Sequence, residues 1–297
     1  GVLGLIGRRL GGETAGLVVA AVAAAHPLLI AADGSLMSET LYGLCVATAL
    51  LLTLRLLERP SARGAAALGA VIGLAALTRG EGLLLLLLLA APALWRHRRE
   101  AALAAVAFLL VIAPWTIRNW TAFDQPVLLS TNYATVITGA NCDRTYRGDD
   151  LGFWRTECRS RPETRNEAEQ AAIWRDEGLD YARDHAGRAA AVVVPVRVLR
   201  TWSLWQPRGQ VKQAEGRDRT VETLGVIAYF LLLPLALLGA LRTRPQRWVL
   251  LVAPVAVTIV SVLAYGYARF RHTADLSIVV LAGLAVADRL RARASGT

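Results

Sequence analysis

From Thr78 to Glu100 the chain reads TRGEGLLLLLLLAAPALWRHRRE: a polar turn, an unbroken apolar run, then a basic cluster. A continuous apolar block, as opposed to a stripe recurring at helical spacing, marks a segment built for lipid. The arrangement repeats in both directions along the chain. Arg8-Arg9, Arg59 with Arg63, Arg96 to Arg99, Arg242-Arg244-Arg247 and Arg289-Arg291-Arg293 occupy every second connection. Cytoplasmic loops carry the Arg excess of a polytopic protein, so these clusters are expected to face the cytoplasm. The remaining short connections then face outward. They hold a different set of residues: Ser38-Glu39, Thr78-Arg79-Gly80-Glu81 and Tyr267 to His272.

The expected architecture is an all-α polytopic membrane protein with about eight transmembrane helices and a partial one at the N-terminus. The spans are Leu17 to Ala32, Leu41 to Leu57, Ala65 to Leu77, Leu83 to Leu94, Ala101 to Ile117, Val221 to Leu241, Trp248 to Tyr265 and Ala274 to Ala287. Gly1 to Ile6 reads as the tail of an earlier helix. Residues 1–117 and 220–297 thus form membrane parts, and residues 118–219 form a mainly helical extracytoplasmic loop domain. The localisation that follows is the cell (plasma) membrane, multi-pass. In the loop domain, apolar residues from Asn166 to His185 share one helical face, with Asn166 or Thr164 as N-cap. A second helix is expected over Ala189 to Trp205, kinked at Pro195.

The 297 residues are 55% hydrophobic, with a mean hydropathy of +0.41. A formal charge of +10 would suit nucleic acid, but much of the excess sits in the inward clusters, where anionic lipid attracts it. No nucleic-acid partner is expected. Lys212 is the one lysine, so the choice of Arg at any single site carries little information. Cys142 and Cys158 fall in the outer loop, where they either close a disulfide or stay unpaired. Cys45 lies within a span as a small packing residue. No Cys/His spacing resembles a zinc site.

Ionisable residues at membrane depth are expensive and point to function. Glu39, Arg79, Glu81, Arg269 and Arg271 all fall at the outer edge. Arg offers paired donors to phosphate oxygens, and a carboxylate binds sugar hydroxyls. Each also has a plainer use. Glu39 can cap a helix, Arg79 and Glu81 can pair at a solvated turn, and the late arginines can snorkel. His26, before Pro27, is expected to bond the backbone that the proline frees. Asn119-Trp120-Thr121 matches a glycosylation acceptor but lies too near the membrane.

The series Gly7-Arg8-Arg9-Leu10-Gly11-Gly12, Ser38-Glu39, Leu77-Thr78-Arg79-Gly80-Glu81, Ala113-Pro114-Trp115-Thr116-Ile117-Arg118-Asn119, Ser130-Thr131-Asn132 and Tyr265-Gly266-Tyr267-Ala268-Arg269-Phe270-Arg271 resembles a family. It is similar to the GT-C integral-membrane glycosyltransferases, specifically the glycosyltransferase family 39 or dolichyl-phosphate-mannose-protein mannosyltransferase-like group. The resemblance implies inverting transfer of a sugar from a polyprenyl-phosphate donor to a glycan, lipid or protein acceptor on the extracytoplasmic face. It implies that Glu39, Arg79 and Glu81 line the sugar site and that Arg269 or Arg271 stabilises the leaving phosphate. The family's acidic base sits in a first outer loop, which would lie upstream of Gly1, and Asp33 is a poor substitute. Residues 1–297 are therefore expected not to turn over alone. No cofactor is demanded, although some relatives use a divalent metal. A transporter and a non-catalytic membrane scaffold are the competing readings.

Overall fold

The computed structural model describes all residues except 36, 124, 208–217, 243–246 and 295–297. Helix is the only regular structure among the described residues. They form two compact units. The first holds Gly1–Val111, Val211–Ala256 and Arg271–Thr297, and the second holds Ile112–Gln210 and Val257–Phe270.

In the first unit, α1 (Val2–Ala24) is a helical hairpin in which Gly12, at φ 79° and ψ −175°, makes the turn. A β-carbon on Gly4 would lie 3.0 Å from that of Ala20, and one on Gly7 would meet Val19. In a straight helix Gly4 and Ala20 would be about 24 Å apart, so the arms 2–11 and 13–24 run antiparallel. The expected tail of an earlier helix is thus one arm of a pair. Only glycine adopts the Gly12 conformation cheaply, and the nearest atom to an added β-carbon there is 3.8 Å away. Gly12→Ala is therefore expected to destabilise through the backbone alone, by about 1–3 kcal/mol, measured as thermal unfolding in detergent.

The expected span Leu17 to Ala32 is broken. Helix α1 stops at Ala24, and α2 (Pro27–Gly34) leaves at 56°. Pro27 lacks the N–H that would continue the ladder and is suited to a first helical turn. Next come α3 (Glu39–Glu58) and α4 (Ala62–Thr78), the latter capped by the Ser61 hydroxyl, which accepts from Gly64 N–H at 3.2 Å. A 3₁₀ turn (Gly80–Leu83), a π-helical turn (Leu86–Ala90) and α5 (Ala91–Leu94) then run back along α4. Gly82 lies against the Ala75 and Ala76 backbone, which only a residue without a side chain permits. Helix α6 (Arg98–Phe123) runs parallel to α4, with Gly69 on the Ala104 backbone and Gly73 against Phe108 and Val111. Small residues let apolar helices approach this closely, where dispersion replaces the hydrophobic drive lost in lipid.

The last helix of the chain, α14 (His272–Ala294), is buried along most of its length between α1 and α12 (Arg219–Arg242). Gly239 of α12 sits on the Leu281 backbone of α14, and Gly283 meets Val19 of α1. Helix α13 (Arg247–Leu263) precedes it in sequence.

Among the described residues, three helices are long and apolar enough to cross a membrane: Glu39–Glu58, Arg98–Phe123 and Arg219–Leu241. The bent pair of α1 and α2 would make a fourth. Ala62–Thr78, Gly80–Leu94 and Trp248–Leu263 are apolar but shorter. The expected count of eight thus resolves into three or four helices of full length, several short arms and a buried final helix.

The basic connections of the first unit do share one end. Arg9 Nε donates to Glu58 Oε1 at 2.8 Å, joining the α1 turn to the end of α3. Arg291 Nη1 donates to the Gly11 carbonyl at 2.6 Å, bringing the last cluster to the same turn. Arg63 at the start of α4 and Arg98-Arg99 at the start of the parallel α6 belong there too. Arg244 and Lys212 lie outside the described residues, as do the side chains of Arg242 and Arg247. A 20-residue helix such as α3 is about 30 Å long. Glu39 and the residues after α4 are therefore at the far end from the basic cluster.

The second unit is organised on α7 (Asn132–Ala140), α8 (Asp143–Tyr146), α9 (Glu167–Asp184), α10 (Ala186–Arg188), a π-helical turn (Ala189–Val193) and α11 (Val194–Thr201). Asn166 caps α9 as expected, its side chain accepting from the Ala168 and Glu169 N–H groups. The helix expected over Ala189 to Trp205 ends at Thr201, and Ser203 and Gln206 turn the chain at positive φ. Its irregularity is the π-helical turn just before Pro195. The Trp115-Thr116-Asn119 set on α6 is structural: Trp115 donates to Leu129 O, Thr116 to Leu128 O and Asn119 to Leu129 O. Asn119 is 2% exposed, which removes it as a glycosylation acceptor. Buried Arg197 donates to Ala140 O at 2.6 Å and to Asn141 Oδ1 at 2.9 Å. Cys142 and Cys158 form a disulfide across 16 residues, and Cys45 is a buried free thiol.

Asp150 is clamped between two arginines. Arg155 donates to Oδ1, and Arg144 Nε donates to Oδ2 at 3.0 Å. The Arg155 hydrogen bond, ahead of the weaker help from Arg144, holds the carboxyl below its ordinary value. A carboxylate whose folded pKa is depressed contributes stability above its unfolded pKa and loses it as pH falls through the folded one. The second unit is therefore expected to weaken in acid below the usual carboxylate range. Asp150→Asn should flatten that limb of stability against pH, measured by tryptophan fluorescence.

Candidate functional site

At the end of the first unit remote from the basic cluster, three of the residues singled out in sequence come together. Arg79, held extended between α4 and the 3₁₀ turn, reaches three partners. Its Nη1 donates to Glu39 Oε1 at 3.0 Å and to the Ser38 hydroxyl at 3.2 Å, and its Nε pairs with Glu81. The Glu39 side chain is 6% exposed and Arg79 16%, so this is no solvated surface pair. Glu39 sits in the first turn of α3, where the helix dipole favours a carboxylate. A favourable dipole and an ion pair thus coexist at this residue. Tyr42, one turn further on, is buried within electrostatic range of Arg79 and Glu81.

The cluster's carboxylates offer acceptors to the hydroxyls of a ligand. The guanidinium fork fixes both carboxylates relative to each other, because its five donors lie in one plane.

Arg271 is built into a second group. It is fully buried, with Nε donating to Asp275 Oδ1 at 3.1 Å, and its guanidinium lies 3.7 Å from the Tyr229 ring centroid. A snorkelling role is thereby excluded, since snorkelling keeps the charged head in water. His26 completes this second group. It is 2% exposed and within electrostatic range of Asp275 and Arg271. The expected bond from His26 to backbone freed by Pro27 is not made: neither ring nitrogen has a hydrogen-bond partner. The two groups lie at the same end of the unit, because Gly43, one turn after Glu39, packs on the His272 ring beside Arg271. Arg269 lies in the second unit, in the 3₁₀ turn Ala268–Arg271.

Asp275 and Tyr229 were not singled out in the sequence. Asp275 carried a readable signal, being a lone carboxylate in an apolar segment four residues after an arginine. Tyr229 carried none. No group of three or more His, Cys, Asp or Glu side chains among the described residues could hold a metal ion.

Residues 2–118 match the family model described as dolichyl-phosphate-mannose-protein mannosyltransferase. The match supports a GT-C-like glycosyltransferase. It covers Ser38, Glu39, Arg79, Glu81 and His26, and it ends at residue 118, before most of the second unit and the final helix. With the apolar helices it supports a membrane glycosyltransferase. No curated protein and no solved structure matches the chain.

Proposed function

We propose that the protein moves a sugar from a polyprenyl-phosphate carrier to a hydroxyl acceptor on the extracytoplasmic face, with inversion. The observation that carries this reading is the Ser38, Glu39, Arg79 and Glu81 cluster, which lies inside the family-matched segment and opposite the basic end. With the basic end in the cytoplasm, the cluster faces outward. The Cys142–Cys158 disulfide supports an oxidising compartment for the second unit.

In the reaction the bond from the anomeric carbon to the phosphate oxygen breaks, and a bond to the acceptor oxygen forms on the opposite face. The acceptor's proton passes to an acidic base, and the lipid leaves as its phosphate. Glu39, Arg79 and Glu81 hold the sugar through its hydroxyls. Arg269 or Arg271 stabilises the charge that grows on the leaving phosphate.

The test uses membranes from cells expressing the full-length protein and a polyprenyl-phosphate sugar labelled in the sugar. Glu39→Gln keeps the shape and removes the charge; it is expected to lower transfer about 10–100-fold at normal expression. Arg269→Ala is expected to lower the rate by a similar factor. Unchanged transfer in both variants would overturn the reading.

A further inference from the structure

The proposed mechanism leaves His26 and Asp275 unused, yet both are buried against water at a cost that demands an explanation. This group is incompletely hydrogen bonded. Both His26 ring nitrogens and Asp275 Oδ2 are buried without a partner. Asp275 Oδ1 is taken by Arg271, whose charge it balances, with the Tyr229 ring across the guanidinium. The unfilled capacity can be read directly. A neutral imidazole offers one donor and one acceptor, and an ionised Asp275 Oδ2 offers acceptors only. A phosphate brings acceptors of its own and would face Asp275 Oδ2 as a like charge. A hydroxyl group both donates and accepts, and it satisfies each of these atoms without adding charge.

We infer that His26 and Asp275, held in place by Arg271 and Tyr229, form a second subsite that binds hydroxyl groups of the transferred sugar. The inference rests on the proposed function, because it assigns the ligand from the same lipid-linked substrate. The subsite lies at the same end of the unit as the Arg79 cluster, since Gly43, one turn after Glu39, packs on the His272 ring beside Arg271. His26 comes from the break between α1 and α2, and Asp275 from the first turn of α14. The break at Pro27 is thereby given a purpose: a continuous helix would leave no chain end at which to place this imidazole.

The experiment measures binding of two probes to the purified protein in detergent. One is polyprenyl phosphate; the other is the same lipid bearing glucose, mannose or arabinose. His26→Leu removes the hydrogen-bonding atoms at similar volume, and His26→Gln restores a donor and an acceptor. His26→Leu should lower affinity for the sugar-bearing lipid about tenfold, leave the bare lipid phosphate within twofold, and leave the melting temperature equal or higher. The last effect follows because unsatisfied buried polar atoms are lost. His26→Gln should recover part of the affinity, and Asp275→Asn should reproduce the selective loss. If His26→Leu weakens both probes equally, the subsite takes phosphate and the inference fails. If it lowers the melting temperature while affinity for both stays unchanged, His26 serves only packing and the inference again fails, with the proposed function intact. If the wild-type protein binds neither probe, the proposed function fails and carries this inference with it.

Discussion

Arg79→Met is expected to abolish sugar transfer and to lower the melting temperature together. Arg79 stands between two carboxylates brought from different elements, Glu39 at the start of α3 and Glu81 in the turn after α4. Removing the cation leaves two like charges facing each other with little water to screen them. Breaking one partner of a largely buried ion pair costs about 3–5 kcal/mol. The loss in rate should be larger than stability alone accounts for, about 100-fold or more, because the guanidinium also fixes the orientation of both acceptors. Arg79→Lys separates the two effects. It keeps a charge but replaces a planar fork with a point, so it should hold most of the stability and lose most of the orientation. The measurements are transfer of labelled sugar in membranes and thermal unfolding in detergent. An Arg79→Met protein retaining more than half of the wild-type rate would show that the cluster is an ordinary structural pair.

Arg271→Met should destabilise the protein about as severely, and a second substitution should repair it. Both partners of the Arg271–Asp275 pair are fully buried, and the single change strands a carboxylate among apolar helices. The expected cost is about 3–5 kcal/mol. In the double variant Arg271→Met, Asp275→Leu no charge remains to be stranded, and the methionine can keep its contact with the Tyr229 ring. Stability should then return to near wild type, while affinity for the lipid-linked sugar stays low. A double variant as unstable as the single one would mean that the helices pack around these two charges through some other interaction.

Much of the fold was readable from periodicity and punctuation. The apolar blocks, the Arg-rich connections and the Asn166 cap all report local chemistry; the helical state of the blocks and the cap are found where the chain predicts them. The hairpin turn at Gly12 was less legible, because a glycine pair within an apolar stretch is equally at home in a packed helix. The broken segments were harder still. Whether Pro27 kinks a helix or ends it depends on which neighbours accept the free backbone groups, and those neighbours are distant in sequence.

The candidate site divides along the same line. That charged residues would sit at one end of the helices follows from the sequence, since an ion within an apolar block must lie near its edge or find a partner. Which charges meet does not follow. Glu39 and Arg79 are 40 residues apart, and their contact exists only because α3 and α4 pack side by side. Arg271 was grouped with them on its position near a span end, and packing of α14 between α1 and α12 gives it Asp275 and Tyr229 as partners, which the sequence did not name. The chain by itself determined the apolar segments, the Arg-rich connections between them and a short roster of expensive charges. The tertiary structure alone decided how those charges pair, because an ion pair needs contact within a few ångströms, and only helix packing sets distances at that scale.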